Sequence, residues 1–331
     1  MIKQDLLIIG AGLSGLYTAY LLQDKYNITI IEARDRIGGR IVTIDGSDMG
    51  PSWVWMHHTN IIQLIKDLDL ELFPQYSKGL AVYEDKFRNE KFNPAEMMPS
   101  YRLKGGMYKI VDSLVKKLNV TFCIKEEVQK ITKTKNKIKV VTSSSEYSTH
   151  FVISTLPPRL VIQDITFSPT LELATIDKFN SIFTWMAHCT KYIIEYDTSF
   201  WKEQGLSGFG ISHMGPITEL HDASTTTQPA LLCFIHRNII SNDEEIKNQL
   251  IRLFGEKAQK IKKIYSINWN KEKYTATPLD SKSEHPYNEG MVKSIYNDRV
   301  KFIGTETASI ESGYLEGAIV SVKDIFKELS F

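Results

Sequence analysis

The chain has 331 residues, 42% of them hydrophobic, enough for one large or two interleaved domains around a substantial core. Its 40 basic and 39 acidic residues balance, so neither nucleic acid nor an anionic membrane surface is expected as the main partner. No apolar run reaches membrane-spanning length, no signal peptide precedes the first strand, and no hydrophobic tail precedes Phe331; a soluble protein is expected.

Leu6-Leu7-Ile8-Ile9 is a run of four large aliphatics after Asp5 and reads as a strand buried on both faces. The residues after Gly15 recur at helical spacing. Between them, Gly10-Ala11-Gly12-Leu13-Ser14-Gly15 places glycines where a tight turn, close approach to a pyrophosphate, and close helix-on-strand packing need them. A helix starting there aims free N–H groups and a positive dipole end at phosphates. A second strand, Asn27 to Ile31, ends at Glu32, where a carboxylate holds an adenosine ribose. A purely structural glycine turn is the competing reading. Strand, turn, helix, strand and acid together favour dinucleotide binding. The chain continues Ala33-Arg34-Asp35-Arg36-Ile37-Gly38-Gly39-Arg40, a second glycine pair with three arginines. An FAD site uses such a segment, because the chain must pass close along the pyrophosphate on its way to the flavin.

The segment Glu32 to Arg40 resembles the "EAR-x-R-x-GGR" of the flavin-containing amine oxidases, the monoamine and polyamine oxidase family. That resemblance implies an α/β fold: a Rossmann-like, NAD(P)-binding-like FAD domain of the GR2/amine-oxidase type, with an interleaved, reduced, mainly β substrate domain. Asp48-Met49-Gly50-Pro51-Ser52-Trp53 is similar to the family's second flavin-contacting segment, and Gly50 is expected to let backbone lie against the ring. Asn60 to Leu68 has helical periodicity. In the family a long helical cap lies between that helix and a "GG-x-x-x-(L/I)" motif. Here only Ala81 to Ser100 intervene before Gly105-Gly106, with Pro94 and Pro99 breaking any helix. Most of the cap is absent.

A helix carrying Ile110, Val111, Leu114, Val115 and Leu118 on one face follows, then strands at Val120–Ile124, Lys125–Ile131, Lys137–Val141 and Glu146–Ile153. These resemble the FAD-domain meander, which implies that Val128 touches the adenine. Ser154-Thr155-Leu156-Pro157-Pro158 closes the segment as the family's "(S/T)-x-P-P" turn. Residues 181–272 read as mainly β with one helix, Asp243 to Phe254. Lys191 stands ten residues before Trp201 of the Phe200-Trp201 pair, which resembles the stretch bearing the family's active-site lysine; by alternation it shares a face with Trp185, Ala187, Cys189 and Ile193. A lysine snorkelling from a strand edge is the alternative. Ile267 to Tyr274 resembles the segment whose indole, here Trp269, lies beside the flavin; a core tryptophan is the alternative. Counted without gaps from Trp269, Pro278 and Leu279 occupy the Cys-Tyr pair of covalent-flavin members, so non-covalent FAD is expected. The usual aromatic pair is reduced to Tyr314, with Leu279 opposite.

Val300 to Ala308 reads as a buried strand ending in a glycine turn, and Ser312 to Ile319 opens a helix with Leu315, Ala318, Ile319, Val322, Ile325 and Phe326 inward. This resembles "GTETA…SGYMEGA". It implies that Gly304, Thr305, Gly313, Tyr314, Leu315 and Ala318 face the flavin and that Gly313 and Gly317 let backbone approach it.

The implied division is an FAD domain of 1–78, 104–180 and 273–331 and a substrate domain of 79–103 and 181–272. The implied catalytic residues are Lys191, Tyr314 and Trp269, with Lys191 holding a water against the flavin. The implied function is oxidation of an amine to an imine, with oxygen as acceptor and hydrogen peroxide released. Two alternatives use the same fold: oxidation or desaturation of another substrate, as by related oxidases of porphyrinogens and carotenoids, or a flavin-binding subunit completed by a partner. Expected partners are a small-molecule amine and a second copy of the chain, drawn over the open substrate side by Trp53, Trp55 and Tyr83. Cys123, Cys189 and Cys233 are few and widely spaced, fitting a reducing, cytoplasmic compartment. The eight histidines show no ligand cluster, His57-His58 reads as a loop pair, and no metal is expected.

Overall fold

The computed structural model of the chain describes residues 4–94, 98–236, 242–282 and 292–328. Phe331, and with it the expectation about the tail, lies outside them.

The strand β1 (Gln4–Ile9) lies inside a six-stranded sheet, flanked on one side by β2 (Tyr26–Glu32) and on the other by the strand Phe151–Ser154, all parallel. Its four aliphatics are each at most 3% exposed. Alternation sends Leu6 and Ile8 into one core cluster and Leu7 and Ile9 into another. The expected two-faced burial follows from that split. Strand order reverses at β1, so a crevice opens beyond its C-terminal end, where α/β sheets bind ligands.

The helix α1 (Leu13–Leu22) begins two residues before Gly15 and is apolar nearly all round, because it is buried against other helices as well as the sheet. These include α3 (Tyr108–Lys116) and the last helix of the chain. Before it, α2 (Thr59–Asp67) has no side-chain cap of its own. Farther along come α4 (Pro158–Asp164), α5 (Leu173–Ser181), α6 (Phe200–Glu203), α7 (Asp243–Phe254) and α8 (Leu315–Glu328). The carboxylate of Glu316, 1% exposed in α8, accepts hydrogen bonds from the Asn60 and Ile61 N–H groups at 3.1 and 2.8 Å. It supplies the missing cap of α2 from a distant part of the chain.

Two strand expectations need correction. Glu146–Ile153 is two strands: Glu146–Thr149 ends a four-stranded sheet, and Phe151–Ser154 enters the six-stranded one. At the crossing, His150 Nδ1 accepts from the Asp5 N–H at 3.1 Å, and Thr149 Oγ1 donates to Asp5 O at 3.0 Å. Thr121–Ile124 likewise leaves the meander and pairs with β2. Both runs carry strand periodicity, which does not say which sheet a strand joins.

Leu80–Glu84 and Asn89–Phe92 form a hairpin where the cap is absent. The hairpin extends a seven-stranded sheet through parallel pairing of Leu80–Glu84 with Leu206–Ser212. Tyr83 is held there by Asp85 and stacked under Arg88, away from the cavity described below, so it is no part of an aromatic rim. Among the described residues no helix is long and apolar enough to cross a membrane.

Candidate active site

A cavity of about 740 Å³ runs from the glycine turn after β1 to the seven-stranded sheet. Gly10, Gly12, Leu13, Ser14, Glu32, Ala33, Arg34, Gly38, Gly39 and Arg40 line one end of it. Val128 borders the same end, and Met49, Gly50, Pro51, Ser52, Lys191, Trp269, Gly304, Thr305, Gly313, Tyr314, Leu315 and Ala318 line the remainder. Ala11 and Gly15 stand behind the wall. The Ala11 N–H donates to Glu32 Oε2 at 2.9 Å. A Cβ on Gly15 would come within 2.0 Å of Gly10 O, so only glycine lets α1 close on the strand turn.

A dinucleotide fits this end. A Cβ on Gly12 would meet nothing nearer than Gly39 Cα at 4.0 Å, and both glycines line the cavity, leaving a bare backbone cradle. No side chain caps the start of α1, so its first N–H groups are available to phosphate. Glu32 is 3% exposed, and its Oε1 accepts from the Arg34 N–H at 2.9 Å. Arg34 bonds Glu272 and Thr275 through Nη2, while its buried Nε has no partner among the described residues. Arg40 is clamped by Glu306 at 2.6 and 2.9 Å. That pairing holds the second glycine segment against the Gly304–Thr307 turn.

At the other end Lys191 is 2% exposed and donates to Gly50 O and Ser52 Oγ, both at 2.6 Å. The rings of Trp53 and Phe234 lie 5.8 and 5.6 Å from its Nζ. Burial pulls its pKa down to about 7, with the Asp48 carboxylate opposing. It is no strand-edge lysine. Its strand starts only at Cys189, so Trp185 and Ala187 reach the region from a turn and not by alternation. Trp269 opens a 3₁₀ turn and donates from Nε1 to Met49 O at 3.0 Å, which lays its indole along the second flavin segment.

Other expectations change. Leu279 is 50% exposed and outside the cavity, so it does not oppose Tyr314; the gap-free count from Trp269 overlooks the turn between them. Trp185 and Trp55 approach Tyr314 instead, at ring-centroid distances of 6.0 and 5.6 Å. Gly50, Gly313 and Gly317 are glycines because a Cβ there would strike Arg40 O, the Trp185 ring and Glu311 O, respectively. Packing within the chain therefore already requires glycine at all three, and Gly50 and Gly313 also line the cavity. Trp185 as a wall, Glu306 as the clamp on Arg40 and Glu316 as a cap are not legible in the sequence. Glu306 and Glu316 lie within the last two family-like segments, but the partners of all three are far away in sequence.

A glycine-crossed parallel sheet with a ribose-type carboxylate, joined through one cavity to a β-sheet bearing a buried lysine, defines a two-part flavoprotein of the FAD-binding class. The profile of the family described as "Flavin containing amine oxidoreductase" matches residues 13–100 and 73–323. The chain belongs to that family, and FAD is its cofactor. The two matched pieces overlap in the stretch where the cap is shortened. A "Probable flavin-containing monoamine oxidase A" of Dictyostelium discoideum is 23% identical over 445 aligned positions, covering 98% of this chain and 97% of its own. That alignment is more than a hundred positions longer than the chain. An "L-amino acid dehydrogenase" of Synechocystis is 23% identical, covering 95% and 92%. The solved structure of cyclohexylamine oxidase from Brevibacterium oxydans superposes with a TM-score of 0.83 at 19% identity, over the whole of both chains.

Cys189 lines the cavity, and burial pushes its thiol up to about 12, leaving it protonated and a poor nucleophile. Acid precipitation is therefore expected to release all the yellow colour into the supernatant. Flavin retained in the pellet would point to a bond at Cys189.

Proposed function

We propose that the chain oxidises a small amine to an imine, which water hydrolyses, with oxygen as acceptor and hydrogen peroxide as product. The observation that carries this reading is Lys191, buried and lining the same cavity as Trp269 and Tyr314. FAD supplies the two-electron oxidation and passes the electrons on. The chain's own residues supply the rest. Gly12, Glu32 and Arg34 hold the nucleotide end. Trp269, Tyr314 and Trp185 wall the substrate end, where aromatic faces favour a cationic or polarised amine. Lys191, with a pKa of about 7, holds or releases a proton at Nζ near neutrality and holds a water on the flavin side.

The domain division at 79–103 and 181–272 belongs to the same proposal. It is supported by the hairpin from 80–92 joining the strands of 189–268 in one sheet. Three cysteines without a disulfide support a reducing, cytoplasmic setting. Trp53 and Trp55 at the cavity support a second copy covering its substrate side.

A panel of amines is to be added anaerobically to the yellow protein, with oxygen admitted afterwards. Bleaching by at least one amine, followed by recovery of colour and one peroxide per turnover, is the expected result. If every amine leaves the flavin oxidised, the amine reading falls. A dehydrogenase reading, suggested by the name of the Synechocystis relative, predicts bleaching that persists in air.

A further inference from the structure

We propose that His57, His58 and Glu311 form a binding site for a divalent cation of the zinc class beside the flavin cavity. The three side chains offer ligand atoms that all lie within 4.8 Å of one another. The two oxygens of Glu311 are divided between the imidazoles: Oε1 is 3.4 Å from His57 Nε2, and Oε2 is 3.2 Å from His58 Nε2. Tetrahedral zinc with bonds of about 2.0–2.2 Å separates its ligand atoms by about 3.3 Å. Each histidine nitrogen stands at about that distance from one oxygen of Glu311, at 3.4 and 3.2 Å, and a turn of the partly exposed carboxylate would present a single oxygen to both. His57 is 46% exposed along its side chain and is free to close the remaining gap to His58.

The backbone that carries Glu311 is closely packed. Glu311 adopts a φ of +52°, uncommon for a residue with a side chain, and its carbonyl sits where any Cβ on Gly317 would collide. His58 is 1% exposed, and its Nε2 faces Glu311 while its Nδ1 has no hydrogen-bond partner among the described residues, which leaves Nδ1 free to carry the proton when Nε2 binds a cation. Two imidazoles and one carboxylate are a zinc donor set that leaves a fourth position for water. The cation would tie the loop before α2 to the segment before α8. His58 packs against both Trp55 and Tyr314, at 5.2 and 5.7 Å between ring centroids, so the tie would also stiffen the aromatic wall.

The test uses the FAD-loaded protein, dialysed against a chelator and then titrated with Zn²⁺ by calorimetry, with a thermal melt before and after. Uptake of one Zn²⁺ per chain at micromolar concentration and a higher Tm are expected. His57→Ala and Glu311→Gln should each weaken binding by at least about 10-fold, the lower end of what even indirect ligand support contributes. The flavin spectrum reports folding, and His57→Asn replaces His57→Ala if the latter loses it. No uptake by the wild-type chain, or unchanged affinity in both variants, overturns the site.

Discussion

Lys191→Met is expected to keep FAD bound while slowing flavin reduction, reoxidation or both by about 10²–10³-fold, the range of a positioned proton-transfer group. Lys191 touches Gly50 O and Ser52 Oγ and packs beside Trp53 and Phe234, so the variant keeps the aromatic packing while taking the donor away from those two oxygens. Stopped-flow measurement of both half-reactions checks this, and two wild-type rates would return Lys191 to a structural role. The same variant has a stability signature. The folded pKa of about 7 lies below the ordinary 10.5, so between those values the unfolded chain binds more protons than the folded one. Wild-type stability should therefore rise with pH across that window, and the full cost of burying the charge is present below pH 7. Methionine abolishes that cost. The stability of the variant relative to wild type should be higher near pH 6 than near pH 10, the difference being on the order of a few kcal/mol. Thermal melts at both pH values measure it; a difference independent of pH would separate Lys191 from this titration.

Glu32→Ala should purify with much less FAD. Its carboxylate is proposed as the ribose acceptor, and a hydrogen bond to a charged group contributes about 1.5–3 kcal/mol, or roughly 10–150-fold in Kd. The structure adds a second loss, because the same oxygens accept from the Ala11 and Arg34 N–H groups and so tie the glycine turn to the end of β2. Glu32→Gln retains shape and one carbonyl acceptor and should fall between. The ratio of flavin to protein absorbance, and titration of the apoprotein with FAD, report the effect. Full occupancy with unchanged affinity in Glu32→Ala would remove the ribose assignment.

Much of the nucleotide end is legible in one dimension because its parts are near neighbours. Gly10 to Gly15 and the strand ending at Glu32 lie within a single βαβ unit, where turn, helix and carboxylate have set offsets. Lys191 was less legible. Alternation does not separate a buried lysine from one snorkelling at a strand edge, and only the packed sheet shows its burial. Leu279 was misplaced because counting from Trp269 carries no information about the path of an intervening turn.

By itself, the order of residues determined the parallel βαβ start, the helices at 59–67 and 108–116, the missing cap and the resemblance to the family's motifs. Those depend on local periodicity, backbone-permissive residues and short spacings. Only the tertiary structure decided which sheet Phe151–Ser154 joins, that Glu306 clamps Arg40, that Trp185 and not Leu279 stands near Tyr314, and that Glu311 meets His57 and His58. In the last case the partners are 253 residues apart. Contacts of that kind arise when helices and sheets pack, since burial of their apolar faces brings together side chains whose positions along the chain bear no periodic relation to one another.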